Sequence, residues 1–230
     1  MTILVLVEGT TDLVFYEKVL SRVLKARLTR LSDYTRNKPL REFIARFSGR
    51  VVKAGVVGDV LVVSCGGFDG ERLFLRELLR NEFLEEILDS GLKSVVLISD
   101  ADKNPEEMAV GVVTSLKLKV LGGEEGLSVE VSGRRLNIIP VRQGLKGKGA
   151  TGQLEDYVDR LASQVYPEIK RAIERMEEEL GVKLNAKQKT GIYAAILAAG
   201  RGLERFIADL VDKAGDDELK KFRGVLGKIV

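Results

Sequence analysis

Histidine and tryptophan are absent from the 230 residues, and cysteine occurs once, as Cys65. Without histidine, Ser-His-Asp and Cys-His triads, His-ligated zinc and a histidine general base are all excluded. A single cysteine cannot close an internal disulfide or build a Cys-x-x-Cys metal site, which fits a reducing compartment. No apolar run approaches the ~20 residues of a bilayer span. The opening Ile3–Val7 run is too short for the apolar part of a signal peptide, and Glu8 follows it at once. We therefore expect a cytoplasmic protein that does not engage a membrane. Its acid–base or metal chemistry has to rest on carboxylates, lysines, tyrosines or water.

Charge of one sign is also scarce overall: 37 Lys and Arg face 34 Asp and Glu, a formal +3. The average hides an asymmetry. Residues 22–53 hold ten basic side chains, from Arg22 to Lys53, against Asp33 and Glu42, a local +8, whereas residues 151–230 balance at fourteen of each sign. A basic stretch of this kind can hold phosphates; it reads equally well as a solvated loop segment.

The chain that remains alternates strand and helix patterns. Ile3–Val7, Val60–Ser64 and Val95–Ile98 are continuously apolar, as strands buried on both faces of a parallel sheet are. Leu13, Tyr16, Leu20 and Val23 follow the first at helical spacing, with Thr or Asp available as N-cap. A short helix at 39–47 and a hairpin turning at Gly58-Asp59 precede the second strand. One long helix is predicted from Asp69 to Asp89, and another from Pro105 to Lys119. Val129–Val131 and Leu136–Val141 flank Ser132-Gly133 as a hairpin, and the Gly/Lys-rich stretch 142–152 reads as a mobile loop. From Gln153 the pattern is helical, with Ile192, Ala195, Ile196, Ala199 and Leu203 as a small-residue apolar stripe for the core or a second subunit. The expectation is an α/β fold: a mostly parallel, Rossmann-like sheet flanked by helices over 1–160, with a C-terminal helical subdomain at 161–230 packed on it.

In such sheets ligands gather at the carboxyl ends of the strands, and acids sit at two of those ends. Glu8-Gly9-Thr10-Thr11-Asp12 follows the first strand and Asp100-Ala101-Asp102 the third. Asp100 and Asp102, two apart in an extended segment, would point to one side. Two adjacent carboxylates repel unless a cation or proton separates them, and Mg²⁺ is typically held by one or two carboxylates with waters and substrate phosphates. The competing reading is an Asp-rich turn capping the helix that begins at Pro105. Glu8 suits a metal ligand, a general acid–base, or an acid held by helix N-terminal amides; Asp12 suits an N-cap or a first-turn acid.

Taken together, Val5-Leu6-Val7-Glu8-Gly9-Thr10-Thr11-Asp12 and Val96-Leu97-Ile98-Ser99-Asp100-Ala101-Asp102 resemble the TOPRIM domain of topoisomerases, bacterial-type primases and several nucleases. There a hydrophobic strand ends in Glu-Gly and a later one in Asp-x-Asp. The Gly66-Gly67 turn, and Leu154-Glu155-Asp156-Tyr157 after a basic loop, look like the overcoming-lysogenization-defect (OLD) nuclease branch and its stand-alone relatives. The resemblance spans roughly residues 1–160. It implies that Asp100 and Asp102 bind Mg²⁺ (or Mn²⁺), and that Glu8 binds it or moves protons at the phosphodiester. Glu155, with Asp12 or Asp156, would help hold a second ion. Lys103, Arg142, Lys146 and Lys148 are the candidates for nucleic-acid phosphates.

Absences narrow the family. Residues 160–230 are too short for a topoisomerase's strand-attacking domain, one cysteine makes no primase zinc module, and Gly144–Gly149 lacks the Gly-Lys-Ser/Thr ending of a P-loop. The resemblance then implies a stand-alone TOPRIM protein, for which a homo-oligomer and a separate ATPase partner are both expected possibilities. The expected activity is a Mg²⁺-dependent nuclease or related phosphodiester-cleaving enzyme acting on DNA or RNA. The alternatives are a non-catalytic nucleic-acid-binding or partner-binding module and, less well supported because its Asp-x-Asp follows the third strand, a small-molecule phosphohydrolase.

Overall fold

The computed structural model describes residues 1–47, 53–121, 126–143, 152–220, 226–227 and 229. The described strands are β1 (Thr2–Val7), β2 (Leu28–Arg30), β3 (Lys53–Val57), β4 (Val60–Ser64), β5 (Leu92–Asp100), β6 (Lys119–Leu121), β7 (Leu127–Val131) and β8 (Arg134–Gln143). They join in one sheet of order β2-β3-β4-β1-β5-β8-β7-β6. The central β4, β1, β5 and β8 run parallel, and antiparallel neighbours extend the sheet on both sides. The fold is α/β, with a mixed sheet around a parallel centre.

The helices are α1 (Thr10–Leu24), α2 (Lys38–Arg46), α3 (Phe68–Arg80), α4 (Leu84–Asp89), α5 (Pro105–Ser115), α6 (Leu154–Val165), α7 (Pro167–Leu180), α8 (Ala186–Leu197), α9 (Leu203–Lys213) and α10 (Asp216–Lys220). They cover both faces of the sheet, which is why β1 is apolar at successive positions. Ile3, Val5 and Val7 pack in one cluster with Phe15 and Val19 of α1, Leu161 of α6, Tyr193 of α8 and Phe206 of α9. Leu4 and Leu6 pack in the opposite one with Leu40 of α2, Phe74 of α3 and Val112 of α5. The C-terminal helices thus share a cluster with the sheet. Arg22 fastens them to α1 by donating to the carbonyls of Val211, Asp212 and Ala214 at 2.9, 3.0 and 3.1 Å.

Three expected elements differ. The helix predicted over 69–89 is two, α3 and α4, because Asn81 turns the chain by accepting the Phe83 N–H at 2.7 Å. The helix after Pro105 stops at Ser115, ahead of Lys117 in the left-handed region at φ 55°. In α8 the buried residues are Ala186, Thr190 and Tyr193, followed by Ala198 just past it; of the expected stripe Ile192 and Leu203 pack partly buried against the core, while Ala195, Ile196 and Ala199 are exposed. Residues 192–199 are apolar at every position, so periodicity there does not mark the inner face. Nor does the basic stretch form one free patch: besides Arg22, Arg36 pairs with Asp59, and Arg41 donates to the carbonyls of Ser32 and Tyr34.

Glu17 of α1 faces the backbone of β3, where a Cβ on Gly55 would sit 1.5 Å from its Oε1. Burial pushes its carboxyl up to about 7, against 4.5 in an unfolded chain. Below 4.5 both states are protonated; from there to 7 the unfolded chain ionises first, so stability falls as pH rises. With the shift discounted for partial exposure, Glu17→Gln is expected to raise the melting temperature by about 2–4 °C at pH 8. Scanning calorimetry at pH 4.5 should find no gain.

Candidate functional site

The carboxyl ends of the four parallel strands deliver Glu8 after β1, Gly66-Gly67 after β4, Asp100 at the end of β5 and Gln143 at the end of β8. The helix leaving β1 lies on one face of the sheet and those leaving β4 and β5 on the other. That divergence opens a crevice beyond the strand ends, as in other α/β sheets. A pocket of about 630 Å³ occupies it, lined by Glu8, Asp12, Lys53, Asp100 and Glu155 among others.

Backbone contacts set this arrangement. Glu8 Oε1 accepts the Asp100 N–H at 3.0 Å, joining the two acidic segments directly. The Gly67 N–H donates to the Glu8 carbonyl at 2.7 Å, pinning the glycine turn to the same point. The Ala101 N–H donates to the Gly152 carbonyl at 2.7 Å, which brings the start of α6, and with it Glu155, up to β5.

The acids differ in what they are doing. Asp12 is buried and occupied on both oxygens, Oδ2 by the Gly9 N–H at 3.0 Å and Oδ1 by Gln143 Nε2 at 2.9 Å. Gly9, not Thr or Asp, is the N-cap of α1, and Asp12 is the first-turn acid three residues inside it. Asp156 Oδ2 accepts the N–H groups of Gly152 and Gln153 at 2.6 and 3.3 Å, holding the start of α6. Asp102 lies just past the strand's end, so the extended spacing that would align it with Asp100 does not apply, yet it still adds repulsion at Glu8. The strand ends at Asp100 and the chain turns, Lys103 N–H donating to the Asp100 carbonyl at 3.0 Å. Asp102 is exposed and pairs with Lys103 Nζ at 3.2 Å. Among the described residues no three acids are gathered tightly enough to hold a metal ion on their own.

Burial and mutual repulsion mark the pocket electrostatically. Burial is the main cause pushing Asp100 up to about 6, with a hydrogen bond from Gln143 opposing and Glu8, Asp12 and Glu155 adding repulsion. Glu8 is raised for the same first reason, its bond to the Asp100 N–H opposing. Acids perturbed in this way in a crevice make it the candidate functional site.

Of the cations proposed for phosphate, Lys103 pairs with Asp102, and Arg142 donates to Glu106 Oε2 and Asn104 Oδ1 at 3.0 and 2.9 Å. Lys146 and Lys148 lie outside the described residues. Lys53, at the end of the basic stretch, lines the pocket instead, 3.9 Å from Glu204.

Two further residues escape the sequence pattern. Gln143 donates to Asp12 and Asp100, and no local motif marks a lone strand-end glutamine. Glu71 reads from sequence as a first-turn helix acid, yet it is fully buried, with Ser99 Oγ donating to its Oε2 at 2.7 Å. Its Oε1 has no partner among the described residues. Burial first, then repulsion from Glu8, Asp12 and Asp100, holds this carboxyl well above the usual range.

No family model matches the chain, and no curated protein does. Among solved structures, the crystal structure of the hypothetical protein PH0156 from Pyrococcus horikoshii OT3 is similar over 99% of this chain and 96% of that chain. Its TM-score is 0.63 and its sequence identity 18%. The likeness at that distance is one of fold.

Proposed function

We propose that this chain is a TOPRIM-type, divalent-metal-dependent phosphodiester-cleaving enzyme acting on nucleic acid. The observation that carries the reading is the bond from the Asp100 N–H to Glu8, which seats the Glu-Gly turn beside the Asp-x-Asp segment in one crevice. The donor set fits a hard cation. The side chains of Glu8 and Asp100 each have one carboxylate oxygen hydrogen-bonded within the protein and no other hydrogen bond among the described residues. One or two carboxylates with waters and phosphate oxygens is how Mg²⁺ is commonly held.

A bound ion would supply charge stabilisation at the phosphate and a more acidic water. Glu8 and Asp100 would hold it through their remaining oxygens, and Glu155 would complete the acidic wall. Where Glu8 does not ligate the ion, its carboxylate at the same place would instead take the proton of the attacking water. Lys53 would meet a phosphate at the rim. A binding module of the same fold is the second reading, favoured by Asp102 facing solvent in a pair with Lys103.

The test is to incubate the protein at pH 8 with plasmid DNA, single-stranded RNA and bis(p-nitrophenyl) phosphate, with Mg²⁺, Mn²⁺ or EDTA. Metal-dependent cleavage that drops ~10²-fold or more in Glu8→Gln is expected. Retention of nucleic acid without cleavage would favour the module instead.

A further inference from the structure

We infer that Gln143, oriented by Tyr16, is a positioning residue that fixes the geometry of the acidic site and which carboxylate oxygens face a cation. This deepens the metal-dependent reading and rests on it. Gln143 is the last residue of β8 and is 1% exposed. Its Nε2 donates to Asp12 Oδ1 at 2.9 Å and to Asp100 Oδ1 at 2.8 Å. Its Oε1 accepts the Tyr16 hydroxyl at 2.9 Å. Asp12 and Tyr16 lie four apart on α1, so one helix face holds the amide at both ends. Three elements, α1, β5 and β8, therefore meet at one side chain.

The amide can sit only one way round. Reversed, its oxygen would confront two carboxylate oxygens with no proton between them, and both N–H groups would turn to Tyr16. In the observed sense both donors and the carbonyl are used. Two carboxylates brought this close repel each other, and the amide's two protons draw them together without a charge of their own. A lysine at this place would hold the acids as well, but would repel an incoming cation. Gln143 gives order and leaves the pocket's negative charge uncancelled.

It also sets how the acids can coordinate. Asp100 Oδ1 is taken by Gln143 and Glu8 Oε1 by the Asp100 N–H, so each acid has one oxygen left. Single oxygens suit a small ion that keeps several waters, such as Mg²⁺ or Mn²⁺. Ca²⁺ takes 6–8 oxygen ligands and accepts bidentate carboxylates. Gln143 thus disfavours bidentate coordination of Ca²⁺ by Asp100, because its hydrogen bond competes with a cation at Oδ1.

Titration calorimetry of the full chain with MnCl₂ and with CaCl₂ tests this in Gln143→Leu, which removes the donors at similar size, and in Tyr16→Phe, which removes only the hydroxyl. The expected result is a Mn²⁺ Kd roughly 10–100-fold weaker in Gln143→Leu. A several-fold loss is expected in Tyr16→Phe, and in both variants a lower Mn²⁺-over-Ca²⁺ preference. A merely structural role would lower the melting temperature and leave that preference unchanged. Mn²⁺ affinities within twofold of wild type in the folded variants would overturn the inference alone. If Gln143→Leu fails to fold by circular dichroism, Tyr16→Phe decides. Wild-type protein that takes up no Mn²⁺ would overturn the metal-dependent reading, and this inference with it.

Discussion

Asp100→Asn is expected to lower metal-dependent cleavage by ~10²–10⁴-fold while making the protein more stable at pH 8. The two effects have one origin. Asp100 ends a buried strand among Glu8, Asp12 and Glu155, and burial with their repulsion pushes it up to about 6 from 3.8. Below 3.8 both folded and unfolded chains carry the proton. As pH rises the unfolded chain releases it first, so ionised Asp100 costs stability above about 6. Two pH units correspond to about 3 kcal/mol; for a half-exposed group, solvent screening reduces this to about 1 kcal/mol. Asn keeps an acceptor for Gln143 and removes the charge, so a gain of about 2–4 °C is expected at pH 8, vanishing near pH 4. In the wild type, cation binding should weaken as pH falls through about 6, where metal-free Asp100 takes up a proton that a cation must displace. Thermal unfolding and cleavage measured on the same preparations check both. A variant that stays active, or that loses stability at pH 8, would remove Asp100 from the site.

The sequence makes the acids' neighbourhood legible because β1 and β5 are apolar runs ending in charge, and parallel strands send such ends to one edge. Glu8 and Asp100 follow from that rule alone. Asp102 does not, since the alternation that puts i and i+2 on one side holds only while the chain stays extended, and here it turns at Ala101. Arg142 carries the more conspicuous charge at the end of β8, yet strand alternation sends it outward to Glu106 and turns the neutral Gln143 in. Contacts between residues 127 and 131 positions apart, as Tyr16 and Asp12 make with Gln143, leave no local pattern. Glu71 was hidden for a different reason. A glutamate in a first helical turn usually complements the dipole at the surface, and only the packing of α3 on the sheet shows it buried.

That packing can be broken at one atom. Gly70→Ala is expected to destabilise the protein by about 3 kcal/mol, lowering the melting temperature by about 6–12 °C. Gly70 lies in the first turn of α3, where a Cβ would stand 1.8 Å from the Cys65 carbonyl oxygen and 2.8 Å from its carbon. Both are backbone atoms, so no rotamer change relieves the clash. Nor can the loop retreat freely: the Cys65 N–H donates to the Val7 carbonyl at 2.9 Å and the Gly67 N–H to the Glu8 carbonyl at 2.7 Å. The helix must move outward instead, straining the Ser99–Glu71 bond and the anchorage of Glu8. Cleavage should therefore fall further than the unfolded fraction accounts for. Gly111→Ala in α5 is the matched control, because a Cβ there meets nothing within 4 Å. The same change, free of contact in a helix interior, is expected to stabilise by about 0.5–1 kcal/mol. Denaturant unfolding of the two variants should move in opposite directions. A Gly70→Ala protein as stable as wild type would mean that α3 does not rest on the Cys65 carbonyl, and that the glycine turn beneath Glu8 is not held as described.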